Sequence, residues 1–379
     1  MTETIDPTPQ VSPTPTPAPA PKGRTKKSQG VAWQKISDKI DEFITKRPDD
    51  QLATFLADLR ELDIGRKDPN HFYRTRELVQ PLGKAILDAI DRTYDDNFHY
   101  PDVIAGRYST STISPIRYLM GCVRPDTTAI VELGSGWSVN LFQIYVGLGR
   151  TRSRTIAYHG AEYTDEGQEA AKRLAAHDGA IDYHAHSFDY RKPDISFLKE
   201  AKGHVLVFTR HSIEQVDLID PKLYDMLHKL GAKVTLVHIE PTGWQRDPIL
   251  ITRRKQKDGS FFEDLGKLNA QDVFSARRQL ENAAWWSWRL DYNINLTSII
   301  SQAYRNKKIR VVRREYDFAA IGNIFNPSSL YHLEFIKPAP EPSAQAWNGQ
   351  TENRAGWMQS SRPGIRPGNG VTPRPTSTA

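Results

Sequence analysis

The sequence predicts a doubly wound α/β sheet, preceded by a helical cap and flanked by unstructured arms. Three observations predict it. A strand, a glycine turn and a helix follow one another from AIVELGSGWSVN, residues 129–140, into Leu141-Phe142-Gln143-Ile144-Tyr145-Val146. Strand-length apolar runs then alternate with helical patterns as far as Ile239. Two runs of period two, 309–316 and 329–336, stand either side of the turn-forming IGNIFNPSS and read as a closing antiparallel pair.

Composition bounds the rest. The 379 residues, 38% hydrophobic and 25% charged, suffice for a core once the arms are set aside. The formal charge of +6 is mild and much of it lies in the arms, so nucleic acid is not the expected partner. A single cysteine, Cys122, excludes an internal disulfide and a cysteine-rich zinc site, and fits a reducing compartment. No run of 18 apolar residues and no charged-then-apolar leader is present, so a soluble, cytoplasmic protein without a membrane span is expected.

Residues 1–30 alternate proline with Thr, Ser and Ala and then turn basic at Lys22, Arg24, Lys26 and Lys27. Such a segment buries too little apolar surface to offset its ordering entropy, which predicts a disordered arm. Residues 338–379 have the same character. Between Val31 and Arg92 apolar residues recur at helical spacing, as in Ile36, Ile40, Phe43 and Ile44, then Leu52, Phe55 and Leu59, then Leu78, Leu82, Ile86 and Ile90. Two or three amphipathic helices are expected, forming a cap over 31–100. The main domain then spans 101–337. Its polar, aromatic start, with Tyr100, Arg107 and Tyr108, is placed like a lid.

Within that domain, Gly134 and Gly136 let the chain turn tightly and approach a ligand. A dinucleotide fingerprint would require a third glycine where Val139 stands, which argues against hydride transfer. The acidic Glu132 two residues before the first glycine, with the small Ser138 two after the second, resembles motif I of class I S-adenosylmethionine (SAM)-dependent methyltransferases. The resemblance implies SAM as cofactor and a Rossmann-like sheet of order 3-2-1-4-5-7-6. It implies that Glu132 lies near the methionine amino group, with the Gly134-Ser135-Gly136 backbone beneath ribose and methionine. Ser138 occupies the third position of the glycine loop.

The second strand ends at Glu162, where an acidic side chain can accept from both ribose hydroxyls. Thr164 and Asp165 then start a helix as capping residues. The third strand runs into Phe188-Asp189-Tyr190; by the resemblance Asp189 accepts from the adenine amino group and a neighbouring ring stacks on the base.

The fourth strand opens into Thr209-Arg210-His211-Ser212-Ile213-Glu214-Gln215, and ligands of open α/β sheets bind beyond strand carboxyl ends. Methylating a hydroxyl requires removal of its proton, which a neutral imidazole can accept, so His211 is the candidate base. Glu214 is placed to orient it or to bind a sugar hydroxyl, and Glu240, ending the fifth strand, points into the same crevice. His211, Glu214, His238 and Glu240 include metal-ligating types, but their spacing matches no recognised ligand set and His238 falls within a buried strand, so no metal is expected. Methyltransferases acting on nucleobase amino groups tend to carry Asn or Asp, Pro-Pro and an aromatic after the fourth strand; FTRHSIEQ has none, which favours an oxygen acceptor.

Beyond the sheet, Trp244 is a candidate for stacking on a sugar face. Trp285, Trp286 and Trp288 read as packing at the start of one apolar helix, within which Tyr292, Asn293 and Asn295 either bind substrate or satisfy buried backbone. Together ELGSGWSVN, Glu162, FTRHSIEQV, HIEP, DYNINL and NIFNPSSLYHLEF resemble a sugar O-methyltransferase group associated with surface glycans, over residues 100–336. The implied acceptor is a carbohydrate hydroxyl. The alternatives are an RNA or other small-molecule methyltransferase, or a non-catalytic binding protein on the same fold.

Overall fold

Seven strands build one sheet: β1 Thr127–Leu133, β2 Ala157–Glu162, β3 Tyr183–Ser187, β4 His204–Arg210, β5 Lys233–Glu240, β6 Ile309–Glu315 and β7 Ser329–Phe335. Their order is β3-β2-β1-β4-β5-β7-β6, with β7 antiparallel to both of its neighbours and every other pair parallel. This is the order the resemblance implies. The structure is a computed structural model that describes residues 26–63, 114–266, 276–316, 318 and 328–337. The expected helix at Leu78–Ile90, the lid residues Tyr100, Arg107 and Tyr108, the IGNIF turn and the 338–379 arm lie outside the described residues.

Central strands buried on both faces read as continuous apolar runs, and β1, β4 and β5 do. One face carries Ile130, Tyr158, Leu206, Phe208, Val237 and Ile239 against helices α1 Lys26–Lys46, α2 Leu52–Asp63, α3 Ser114–Gly121, α4 Val139–Ser153 and α5 Asp165–Asp178. The other carries Val131, Leu133, Val205, Val207 and Leu236 against α6 Lys222–Lys229 and α10 Leu296–Arg305. Thr164 caps α5 as expected, its hydroxyl accepting from Gly167 N at 3.3 Å.

The structure departs from expectation in four places. α1 starts at Lys26, inside the segment assigned to the disordered arm. Long-range contacts hold its first turns: Lys26 pairs with Asp165 at 3.3 Å and Gln29 Nε2 donates to Gln215 Oε1 at 3.2 Å. Arg253, Arg254, Lys255 and Lys257 read in the sequence as a basic loop, but the first three belong to helix α7 Pro248–Lys255, and Arg254 is buried, donating to Asp291 Oδ1 at 2.6 Å and to the Ser287 carbonyl. The tryptophans end helix α9 Ala276–Leu290 rather than start one, with Trp288 stacked on Phe262 of α8 Gly259–Gly266 at 5.7 Å. The chain then breaks before α10, because Asn293 Oδ1 accepts from Asn295 N and Leu296 N and so satisfies the free amide of a new helix start.

At the β3 edge the connection to β4 carries a single 3-10 turn, Ser196–Leu198. There His159 of β2 stands in register with His184 of β3, beside His186. His159 Nδ1 lies 3.0 Å from His186 Nε2, and Phe197 stacks on His186 at 3.8 Å. Burial, with the neighbouring imidazoles, pushes both His159 and His186 down to about 4, so these two are neutral at ordinary pH.

Gly160, in the middle of β2, faces the hydrogen-bonded pair Ser138 Oγ and Tyr183 OH, 2.8 Å apart. A Cβ at Gly160 would collide with both oxygens. Gly160→Ala should therefore lower stability by about 1–3 kcal/mol, read as an earlier urea midpoint at unchanged slope; an unaltered midpoint would contradict this packing.

Candidate active site

At the carboxyl ends of β1 to β4 lies a small cleft, partly open to solvent. Gly134 forms part of its wall, in a left-handed conformation with φ of +69°. A Cβ there would meet Ser212 Cβ at 2.5 Å, so the β1 and β4 loops can touch only through glycine. Gly136 is also left-handed, at +55°. The loop is pinned from several sides. Gly134 N donates to the Ala161 carbonyl at 2.7 Å. The Leu133 carbonyl accepts from Tyr190 OH at 2.6 Å and Ser212 Oγ at 2.9 Å.

Glu162 and Asp189 both line this cleft. Glu162 is buried and shapes the loop as well, one carboxylate oxygen accepting from Gly136 N at 2.8 Å and the other from Thr164 N and Oγ1. Asp189 is half-buried and accepts from Arg191 N at 2.9 Å. Phe188 lines the cleft too and meets Tyr190 edge-on at 4.9 Å. Ser135 Oγ is buried with no hydrogen-bond partner among the described residues.

Two other motif residues lie apart from the cleft wall. Ser138 is fully buried and bonded to Tyr183, so its side chain supports β2 and β3 and offers nothing to a ligand in the cleft, contrary to expectation. Glu132 is buried beneath the loop, accepting from Asn140 Nδ2 at 2.6 Å, while Asn140 Oδ1 accepts from Arg210 at 2.7 Å. That Glu132-Asn140-Arg210 chain is a feature the sequence reading missed, although Asn140 stands in the quoted motif.

The loop after β4 carries the candidate catalytic residues. His211 is left-handed, with φ of +52°, a conformation His tolerates better than most residues. Its Nδ1 lies 3.4 Å from Glu214 Oε1 and its Nε2 2.7 Å from Ser328 Oγ; the ring is 37% exposed and thus reachable. Ser212 and Gln215 of the same loop line the cleft. Glu240 plays a different part from the one expected. Fully buried, it does not face the crevice but accepts from the backbone amides of Ser212, Ile213 and Glu214 at 3.2–3.3 Å, so it anchors the loop. His238 is removed from any ligand set, because Thr209 and Tyr224 occupy its two ring nitrogens at 2.8 Å each.

The expected substrate contacts do not assemble here. Trp244 is 1% exposed and presents no free face for stacking. Asn293 and Asn295 resolve towards backbone satisfaction: the former caps α10, and the latter exchanges two bonds with the Ile219 backbone at 2.8 and 3.1 Å. Tyr292 N donates to the Ser287 carbonyl in the same connection. The cleft instead recruits residues the sequence did not single out, Gln29 and Trp33 of α1 with Tyr163, Arg191, Ser212 and Val216.

No family model matches the chain. No curated protein matches it. Solved structures similar to it include a SAM-dependent methyltransferase from Aquifex aeolicus, at 11% identity over 59% of this chain and 89% of that one, with a TM-score of 0.33. Geranyl diphosphate C-methyltransferase from Streptomyces coelicolor A3(2) is 8% identical over 59% and 76%, with a TM-score of 0.37. Magnesium protoporphyrin IX methyltransferase from Synechocystis PCC 6803 is 11% identical over 66% and 94%, with a TM-score of 0.34. Scores this low identify neither reaction nor substrate for this chain.

Burial, reinforced by Glu214, pushes the Glu240 carboxyl up from 4.5 to about 7, against the pull of His211 and the loop amides. A carboxyl raised in the folded state contributes stability that is full below about pH 4.5 and lost as pH rises through about 7. The wild type should therefore lose on the order of 3 kcal/mol over that window through this group, and Glu240→Gln should lack the loss. Urea titrations of both proteins at pH 5 and pH 8 measure it; parallel pH dependence in the two would refute the assignment.

Proposed function

We propose that the chain is a SAM-dependent O-methyltransferase whose acceptor is a sugar hydroxyl. The observation that carries the reading is the adjacency of a glycine-turned cleft rimmed by Glu162 and Asp189 with a His211–Glu214 pair on the next loop. The cleft presents what an adenosyl ligand requires, since the Glu162 and Asp189 carboxylates and the Phe188 ring line it together. Glu162 and Asp189 are the acceptors for ribose hydroxyls and the adenine amino group, and Phe188 is the apolar surface beside the base. Bound SAM supplies an electrophilic methyl group on a cationic sulfur.

The chain's own contribution is positioning and proton removal. His211 Nε2 already lies 2.7 Å from a hydroxyl, that of Ser328, which marks where an acceptor oxygen can sit. With its proton on Nδ1 facing Glu214, the neutral ring can take a hydroxyl proton at Nε2 once the acceptor oxygen displaces the Ser328 hydroxyl. The imidazolium that forms is then stabilised by the Glu214 carboxylate, much as a buried acid supports a catalytic histidine elsewhere. Glu240 holds the three amides that set the loop, and holding both reactants in line supplies up to about 7–11 kcal/mol of the barrier reduction. An oxygen acceptor suits this base, and the sugar follows from the sequence resemblance over residues 100–336.

Calorimetry with S-adenosylhomocysteine tests the cleft, and transfer of labelled methyl from SAM to glycan hydroxyls tests the acceptor. His211→Ala should keep its affinity for S-adenosylhomocysteine and lose turnover by about 10²–10⁴-fold. Unchanged turnover on a sugar acceptor would dismiss His211 as the base.

A further inference from the structure

Helix α1 does more than cover the sheet. Its first two turns cross the cleft mouth, contributing Gln29 and Trp33 to the lining. On the β2 side Lys26 pairs with Asp165 and sits 5.4 Å over the Tyr163 ring, while Gly30 packs against the Glu166 carboxylate. Trp33 leans on the glycine loop, its ring 2.9 Å from where a Gly136 Cβ would be. On the β4 side Gln29 Nε2 donates to Gln215 Oε1 at 3.2 Å, and the other end of the same amide, Gln215 Nε2, donates to the His211 carbonyl at 2.9 Å. One side-chain amide thus ties the wall of the cleft to the backbone of the residue that carries the base.

We propose that the Lys26–Trp33 turns of α1 form the outer wall of the donor site, latched through Gln215 to the loop that carries His211. The proposal rests on the donor reading given above. A ligand in the cleft is enclosed between Glu162 and Asp189 on the sheet side and Gln29 and Trp33 on the helix side. Lifting of these turns therefore quickens its entry and release. Among the described residues lifting must release an exposed ion pair, worth little in water, the Lys26–Tyr163 and Gly30–Glu166 contacts, one half-buried amide bond and the packing of Trp33 on the glycine loop and the core edge. Further along, α1 is fixed by Ser37 and Ile40, both buried, so the hinge falls between Trp33 and Ser37.

Two measurements on the full chain test this. Amide hydrogen exchange over 26–33 should slow at least fivefold on adding S-adenosylhomocysteine, with 37–46 unchanged. Its dissociation rate, by stopped flow, should rise about fivefold in Gln29→Ala and more in Trp33→Ala. Gln29→Glu keeps the length but cannot donate to Gln215 Oε1, so it should dissociate as fast as Gln29→Ala. Exchange at 26–33 indifferent to the ligand, or a dissociation rate untouched in all three variants, would overturn the proposal while leaving the donor reading intact. A wild-type protein that gives no heat with S-adenosylhomocysteine would overturn both.

Discussion

One carbonyl oxygen organises the carboxyl end of the sheet. Leu133 O, the last of β1, accepts from the hydroxyls of Tyr190 and Ser212, which arrive from the β3 and β4 loops. These two hydroxyls also lie 2.7 Å from each other, and the next amide, Gly134 N, reaches across to the end of β2. Ser212 N in turn binds Glu240, the last residue of β5. Five strand ends are thereby fastened through one small polar knot, and a buried polar network of this kind holds a unique geometry only when each member has its partner. Glycine at 134 is its condition, since any side chain there would push Ser212 away.

The knot explains why the Glu240 carboxylate can be tolerated without solvent. Its position beneath three amides is favourable to charge, while burial and Glu214 oppose it. The balance leaves a carboxyl that titrates at about 7 beneath the loop that carries the His211–Glu214 pair. His211 also depends on backbone geometry, held left-handed with its amide bonded to the Ile239 carbonyl at 3.1 Å.

Much of this was readable in the chain. The strands themselves followed from apolar runs such as His204–Phe208 and Val234–Ile239, because strands buried on both faces must be apolar throughout, and their order followed from the resemblance. Glu162, Asp189 and the His211 loop were readable because strand ends place residues at the crevice regardless of what precedes them. What escaped depended on contacts distant in sequence. Lys26 to Gly30 look like an arm by composition and become helical because α5 and Gln215 lie opposite them. Trp244, following a strand end, reads as a surface ring, yet its 3-10 turn packs against α9 and buries it. Asn293 looked like a polar guest inside one long helix, although Asn is also a preferred helix-starting residue, and that signal pointed to the observed break. Ser138 kept the spacing of a ligand-binding loop while its hydroxyl turned beneath the sheet to Tyr183.

The row of imidazoles on β2 and β3 gives this protein a built-in weak flank in acid. His159 and His186 resist protonation down to about 4 while folded, whereas a released strand takes up protons near the ordinary 6.5. Stability drawn from them is complete above about pH 6.5 and drains away as acidity approaches 4. His186 sits on β3, an outer strand paired among the described residues only with β2, where His159 lies. Mild acid therefore weighs on the border strand that leads into the Asp189 rim of the cleft.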